Sequence, residues 1–344
     1  MVGCVENEGI ERLSRLNNLK MLNLNENSFN NSILSSLTPL SSLRSLKLSY
    51  NRLEGSIDVK EFDSLRDLEE LDIGGNKIDK FVVSKGLRKL RYLSLSGIKL
   101  NHSILSSLTI FSSLRELYLH DTGFKGTFDI REFDSFNNLE VLNMRYNEID
   151  NLVVPQGLRK LKSLDLSGVG IRDGSKLLQS MGSFPSLNTL DLSFNNFTET
   201  VTTTTQELHN FTNLEYLTFD SSSLHISLLQ SIASIFPSLK NLSMYGCEVN
   251  GVVRGQELYI DNNDLRGSLP WCLANMTSLR ILDVFANQLT GSISSSPLVH
   301  LTSIEELYLS NNHLRIPISL EPLFNHSRLK IFRTYNNEIN AEII

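Results

Sequence analysis

Chemistry in this chain would have to come from its histidines, cysteines or paired carboxylates. The seven histidines, His102, His120, His209, His225, His300, His313 and His326, are scattered along 344 residues. None stands at metal-ligand spacing or beside a nucleophile in sequence. Cys4, Cys247 and Cys272 are too few and too far apart for a disulfide framework or a zinc site. The pair Gly74–Gly75 reads as a variable turn and not as a phosphate-cradling loop. Glu69, Glu70, Asp72, Asp165, Asp191 and Asp283 could be read as acid/base pairs. Their regular recurrence marks them instead as members of a charged strand face. No catalytic residue, metal or cofactor is expected. Tyrosine carries more information. All nine tyrosines fall on the outward positions of one recurring motif or its adjoining turn, a set that makes up about a fifth of the chain.

That motif is LxxLxLxx(N)xL. It begins at Leu19, Leu43, Leu68, Leu90, Leu114, Leu139, Leu161, Leu187, Leu214, Leu239, Gly255 (degenerate), Leu279, Ile304 and Leu329, 14 copies in all. The xLxLx centre alternates with period 2, so it predicts a short strand with one apolar face. A single coil cannot bury its leucines, and stacking on neighbours completes the core. Burial of each leucine is worth about 1.5–3 kcal/mol. Asn27, Asn51, Asn76, Asn147, Asn195, Asn287, Asn312 and Asn337 follow the strands and are expected to turn inward. There their amides can satisfy backbone groups that cost about 1–3 kcal/mol each if buried unpaired. Ile98, Thr122, Val169, Ser222 and Cys247 take that place in other coils. These are leucine-rich repeats, and they predict an α/β repeat fold: a right-handed solenoid, or horseshoe, with a parallel concave β-sheet and uncapped ends.

Composition is consistent with this reading. The net charge is −6, with acidic and basic residues well mixed, which argues against nucleic acid and against a polybasic membrane-surface protein. About 40% of residues are hydrophobic, enough for a large core. No apolar run approaches transmembrane length, so no direct membrane insertion is expected, and the first residues do not read as a signal peptide.

Two irregularities stand out. The segment from Ser41 matches that from Ser112 at roughly half its positions, an offset of three coils. This is the mark of an internal duplication. At the other irregularity, the coils beginning at Leu239 and Gly255 start closer together than any other neighbouring pair. Only Asn250 to Arg254 remain for a return path, and they can span at most about 17 Å. The domain reading is therefore a short N-terminal remnant over 1–18 and a repeat array over 19–344, with a stacking defect near 250–257.

Several coils continue as LxGx(I/L/F), as in Leu53–Ile57, Phe124–Phe128, Leu265–Leu269 and Leu289–Ile293. With the near-constant period and the run from Leu258 to Ile293, the chain resembles the plant receptor-like proteins. These are cell-surface relatives of receptor kinases that lack the kinase domain. The resemblance implies an incomplete ectodomain at the extracellular side of the plasma membrane. It implies recognition of an extracellular peptide, glycan or protein in defence or development, and signalling through a co-receptor kinase. The concave positions expected to meet ligand are Tyr50, Tyr92, Tyr118, Tyr146, Phe194, Tyr216, Tyr259 and Tyr308. Tyr245, Tyr335 and Phe285 share that face, and strand preference alone accounts for part of the bias. N-x-S/T sequons at Asn30, Asn101, Asn196, Asn210, Asn275 and Asn325 are candidate glycan sites; Asn241, on a strand, is the least comfortable. Rival readings are a secreted inhibitor of a wall-degrading hydrolase, an intracellular interaction scaffold, or a non-functional remnant.

Overall fold

The computed structural model describes residues 16–340, apart from 17, 84–85, 102, 134–135, 154–157, 173, 175–176, 178–180, 182–183, 198–212, 226–238, 245–247, 251–256, 263–264 and 278. The chain is a leucine-rich-repeat solenoid built from two compact units, one ending at Asp165 and one starting at Leu166. Each described strand of the motif begins two positions after a motif start read from the sequence.

In the first unit the strands Met21–Asn23, Ser45–Lys47, Glu70–Asp72, Tyr92–Ser94, Glu116–Tyr118, Val141–Asn143 and Ser163–Asp165 pair in parallel and in chain order. Their central leucines stand in one register, Leu22 beside Leu46, Leu71, Leu93, Leu117, Leu142 and Leu164. From Leu46 onward these leucines are fully buried. Outer ladders lie behind this sheet: Glu54–Asp58 pairs with Lys77–Val82, and Lys125–Asp129 with Glu148–Val153.

The duplication is structural as well. The Ser32–Ser36 helix recurs as Ser103–Leu108, and the 3-10 turn Val59–Phe62 recurs as Ile130–Phe133, both three coils further on. Leu53, Ile57 and Leu65 in the first copy become Phe124, Phe128 and Phe136 in the second, while Phe62 is kept as Phe133. Those four rings form a buried chain with centroid spacings of 5.4, 5.9 and 5.4 Å. The copies thus keep the coil and repack its core with larger apolar groups, a change tolerated when volume is redistributed among neighbours.

The second unit has two main ladders. One holds Thr189–Asp191, Tyr216–Thr218 and Asn241–Ser243; the other holds Glu257–Tyr259, Ile281–Asp283, Glu306–Tyr308 and Ile331–Arg333. Among the described residues no strand pairing joins Asn241–Ser243 to Glu257–Tyr259. Leu242 is only half-buried, whereas Leu190 and Leu217 in the same ladder are fully buried. A cavity of about 30 Å³ lies there, lined by Leu242, Met244, Leu258, Leu265, Leu269 and Leu273. The expected defect over 250–257 falls largely on residues 251–256, outside the described residues, as do Cys4 and Cys247. At the far end of this unit Ile318, Phe324 and Ile339 are strongly exposed.

Candidate ligand-binding face

The asparagines after the strands form the scaffold under the open face. The Asn76 amide donates to Leu48 O at 3.0 Å and Ile73 O at 2.8 Å, and its carbonyl accepts from Leu53 N at 3.0 Å. Asn147, Asn195, Asn287 and Asn312 repeat these bonds and are equally buried. Each amide therefore clamps its own turn to the preceding coil. Asn27 departs from the expected inward burial: it is exposed, and both carbonyls its amide reaches, Leu24 O and Asn25 O, lie in its own turn. Where asparagine is missing, the Thr122 hydroxyl donates to Leu119 O and the Ser222 hydroxyl to Leu192 O.

The residue immediately before that inward position is left-handed. Glu26, Tyr50, Asp121, Tyr146, Phe194, Ser221, Asn262, Ala286, Asn311 and Asn336 all have φ between 50° and 58°, and Gly75, Gly97 and Gly168 serve the same turn. Bulky side chains are costly here, by about 1–2 kcal/mol, and Gly or Asn is the undemanding choice. Tyr50, Tyr146 and Phe194 nevertheless occupy it, with 62%, 45% and 55% of their surface exposed. The motif places these three on the open face but carries no direct signal of the backbone constraint. The signal lies in the column as a whole, where Gly and Asn fill six of the thirteen described positions.

Each ring is held. Tyr50 lies so closely over Gly75 that a Cβ added to the glycine would stand 2.7 Å from the ring. The Arg145 guanidinium sits 4.9 Å from the Tyr146 ring centroid. Tyr92 and Tyr118 are half-buried and pack against each other at 5.1 Å. Burial pushes both hydroxyls above the usual tyrosine range, helped by Asp72 at Tyr92 and by Glu116 at Tyr118. In three "ELY" strands the tyrosine hydroxyl donates back to the glutamate two positions earlier: Tyr118 to Glu116, Tyr259 to Glu257 and Tyr308 to Glu306, at 3.2, 3.2 and 2.6 Å. Tyr216, Tyr259 and Tyr335 are exposed, Tyr308 and Phe285 are half-buried, and Tyr245 lies outside the described residues. The eight predicted aromatics thus divide between the two units, and the first unit brings Tyr92 and Tyr118 into contact.

The carboxylates read as a charged face have local duties. Asp72, Asp191 and Asp283 each accept from the backbone N–H two positions on. Glu69 pairs with Arg44 and Arg91, Glu70 accepts from the Ser45 hydroxyl, and Asp165 accepts from Asn143. Burial, with Arg145 beside it, pushes the His120 imidazole down and favours its neutral form. No group of three or more His, Cys, Asp or Glu suited to a metal ion occurs among the described residues. No helix among them is long and apolar enough to cross a membrane.

Two sequons share one geometry. Asn30 and Asn101 are exposed, and each accepts a hydrogen bond from the hydroxyl of its own sequon serine, Ser32 or Ser103, at the start of a duplicated helix. Asn196 and Asn325 are exposed, Asn275 ends the Trp271–Asn275 turn, and Asn210 lies outside the described residues.

Comparison with known proteins places these features in context. A family model described as Leucine Rich Repeat matches residues 186–208 and 303–323. Cuscuta receptor 1 of Solanum lycopersicum is 33% identical over 96% of this chain, which spans 31% of that protein. Receptor like protein 24 of Arabidopsis thaliana is 24% identical over 95% of the chain, which spans 42% of its length. Among solved structures, that of a TDR receptor superposes with a TM-score of 0.50 at 22% identity, over 95% of this chain and 57% of the other. The last of these is a likeness of fold.

Proposed function

We propose a function from one premise, that this leucine-rich-repeat chain belongs with the plant receptor-like proteins to which it is related over nearly its whole length. In this reading the open strand face is the recognition surface of a cell-surface receptor for an extracellular peptide, glycan or protein. The receptor acts in defence or development, at the extracellular side of the plasma membrane, and signals through a co-receptor kinase. Asn30, Asn101, Asn196, Asn210, Asn275 and Asn325 are its candidate glycan sites.

One observation carries the reading: Tyr50 and Tyr146 keep large, exposed rings at backbone positions where glycine or asparagine would relieve strain. Backbone strain retained in this way points toward function. Aromatics with a polar tip bring contact area at low entropic cost.

Asparagine accepts a left-handed backbone, so Tyr50→Asn and Tyr146→Asn remove the rings without disturbing the turns. Immobilised wild-type chain and the double variant are exposed to the same apoplastic peptide and glycan fractions. A component retained by the wild type is expected to lose about tenfold or more in affinity for the variant, since two anchors are each worth at least about 1 kcal/mol. Equal retention by both proteins would remove the strand face from the mechanism.

A further inference from the structure

The even mixture of charges read from composition does not hold everywhere. Along the edge where the chain enters the strands of the first unit, the residues just after each motif's first leucine form one row. Lys20, Arg44, Glu69, Arg91, Arg115, Glu140 and Lys162 follow one another, each backbone N–H donating to the preceding member's carbonyl at 2.7–2.8 Å. The turns just before the row add Arg66, Arg88, Lys89, Arg159 and Lys160, with Asp67 as their acidic member. This edge therefore holds ten exposed cations against three carboxylates, in a chain whose net charge is −6.

The duplication preserves the pattern. Arg44, Glu69, Arg88, Lys89 and Arg91 recur three coils later as Arg115, Glu140, Arg159, Lys160 and Lys162, every sign retained although about half the surrounding positions differ. Asp67, which pairs with Lys89 at 2.6 Å, becomes Asn138, which accepts from Lys160 at 2.8 Å. Its neighbour Arg66 becomes Asn137, so the second copy has lost one acid and one cation at this turn and keeps Lys160. Each glutamate lies between two cations, Glu69 between Arg44 and Arg91, Glu140 between Arg115 and Lys162. Exposed pairs of this kind add little to stability. In the adjoining column Glu70 and Glu116 are occupied by the Ser45 and Tyr118 hydroxyls.

We propose that this edge is a binding track for a linear acidic polysaccharide, a polyuronate whose carboxylates repeat along its length. Successive coils are stacked at about 4.8 Å, the spacing of paired strands, and most of them present a cation at this edge. Arginine matches carboxylate in bidentate geometry. Leu40, Leu65, Leu87, Phe111, Phe136 and Leu158 are buried beneath this edge, while Leu16 at its first coil and Ile110 are exposed, so its apolar groups are isolated and form no contiguous anchor of the kind that concentrates energy at protein interfaces. A flexible, uniformly charged polymer fits such a row better than a folded acidic protein. The track is separate from the aromatic strand face and does not rest on it.

Binding of de-esterified polygalacturonate to the whole chain is measured by calorimetry at several salt concentrations. Affinity is expected to fall about tenfold or more between about 50 and about 200 mM salt, as for displacement of several counterions. A quadruple Arg88→Gln, Lys89→Gln, Arg159→Gln, Lys160→Gln variant, all at exposed positions, is expected to lose binding while keeping its thermal transition. Glu69→Gln with Glu140→Gln is expected to bind several-fold more tightly. Tyr50→Asn should leave polyuronate binding unchanged. Equal affinity for the fully methyl-esterified polymer, unchanged binding by the quadruple variant, or equal binding of duplex DNA or anionic vesicles would overturn the assignment.

Discussion

The first unit and the second use the same motif, yet only the first carries its described strands in one ladder. Seven strands from Met21 to Asp165 pair in order, and the leucines from Leu46 on are shielded on both sides. In the second unit the described strands form separate groups of three and four. Leu242 borders the interruption and is half-buried. A repeat array has no core apart from its neighbours, so a coil is as stable as the coils on either side allow.

This contrast can be broken most forcefully at the leucines. Leu117→Ala in the middle of the first ladder is expected to cost about 2–5 kcal/mol, as for other large-to-small core changes. Leu242→Ala should cost less, about 1–2 kcal/mol, because part of its surface already meets solvent and it borders a cavity. Urea unfolding of both variants reads the difference, and equal losses would erase the distinction. A second measurement compares the asparagine clamps. Asn147→Ala removes a buried donor and acceptor that join two coils and is expected to cost about 2–3 kcal/mol, against less than about 1 kcal/mol for exposed Asn27→Ala. Hydrogen exchange sharpens the same point without mutation. The amides of Glu116–Tyr118 are expected to exchange more slowly than those of Asn241–Ser243, which lie beside a local opening.

The smallest effect is electrostatic. Hydrogen bonds from Arg280 and then Lys330 pull the Glu305 carboxyl down to about 2. A depressed carboxylate stabilises the fold above its ordinary value of 4.5, and that contribution is lost as pH falls toward about 2. Arg280→Gln should raise the carboxyl's titration toward 4.5 in an NMR pH series. Because both partners, Arg280 and Lys330, are exposed, the change in stability should be slight.

Much of this is legible in the sequence. The period of the leucines locates the strands, and the asparagines announce their clamps, because both obey local rules. Tyr50, Tyr146 and Phe194 are legible as outward residues but not as left-handed ones. Backbone handedness appears only when the same turn is compared across coils. The basic edge is hidden for a different reason. Its members stand a full coil apart in sequence, so the average charge looks mixed until stacking brings them side by side. The three-coil offset is visible from Ser41 onward, and the recurrence of the Ser32 helix as the Ser103 helix carries it back to the Asn30 and Asn101 sequons.

That offset also sets a ruler. Three strand spacings separate equivalent cations of the two copies, about 14 Å along the sheet. A short oligomer could reach one cluster only, while a longer one would engage both and gain from their linkage, by up to about a hundredfold or more in avidity. If the proposed track binds such a polymer, an edge built this way would distinguish fragments by length, and each further duplication of three coils would move the threshold by one increment.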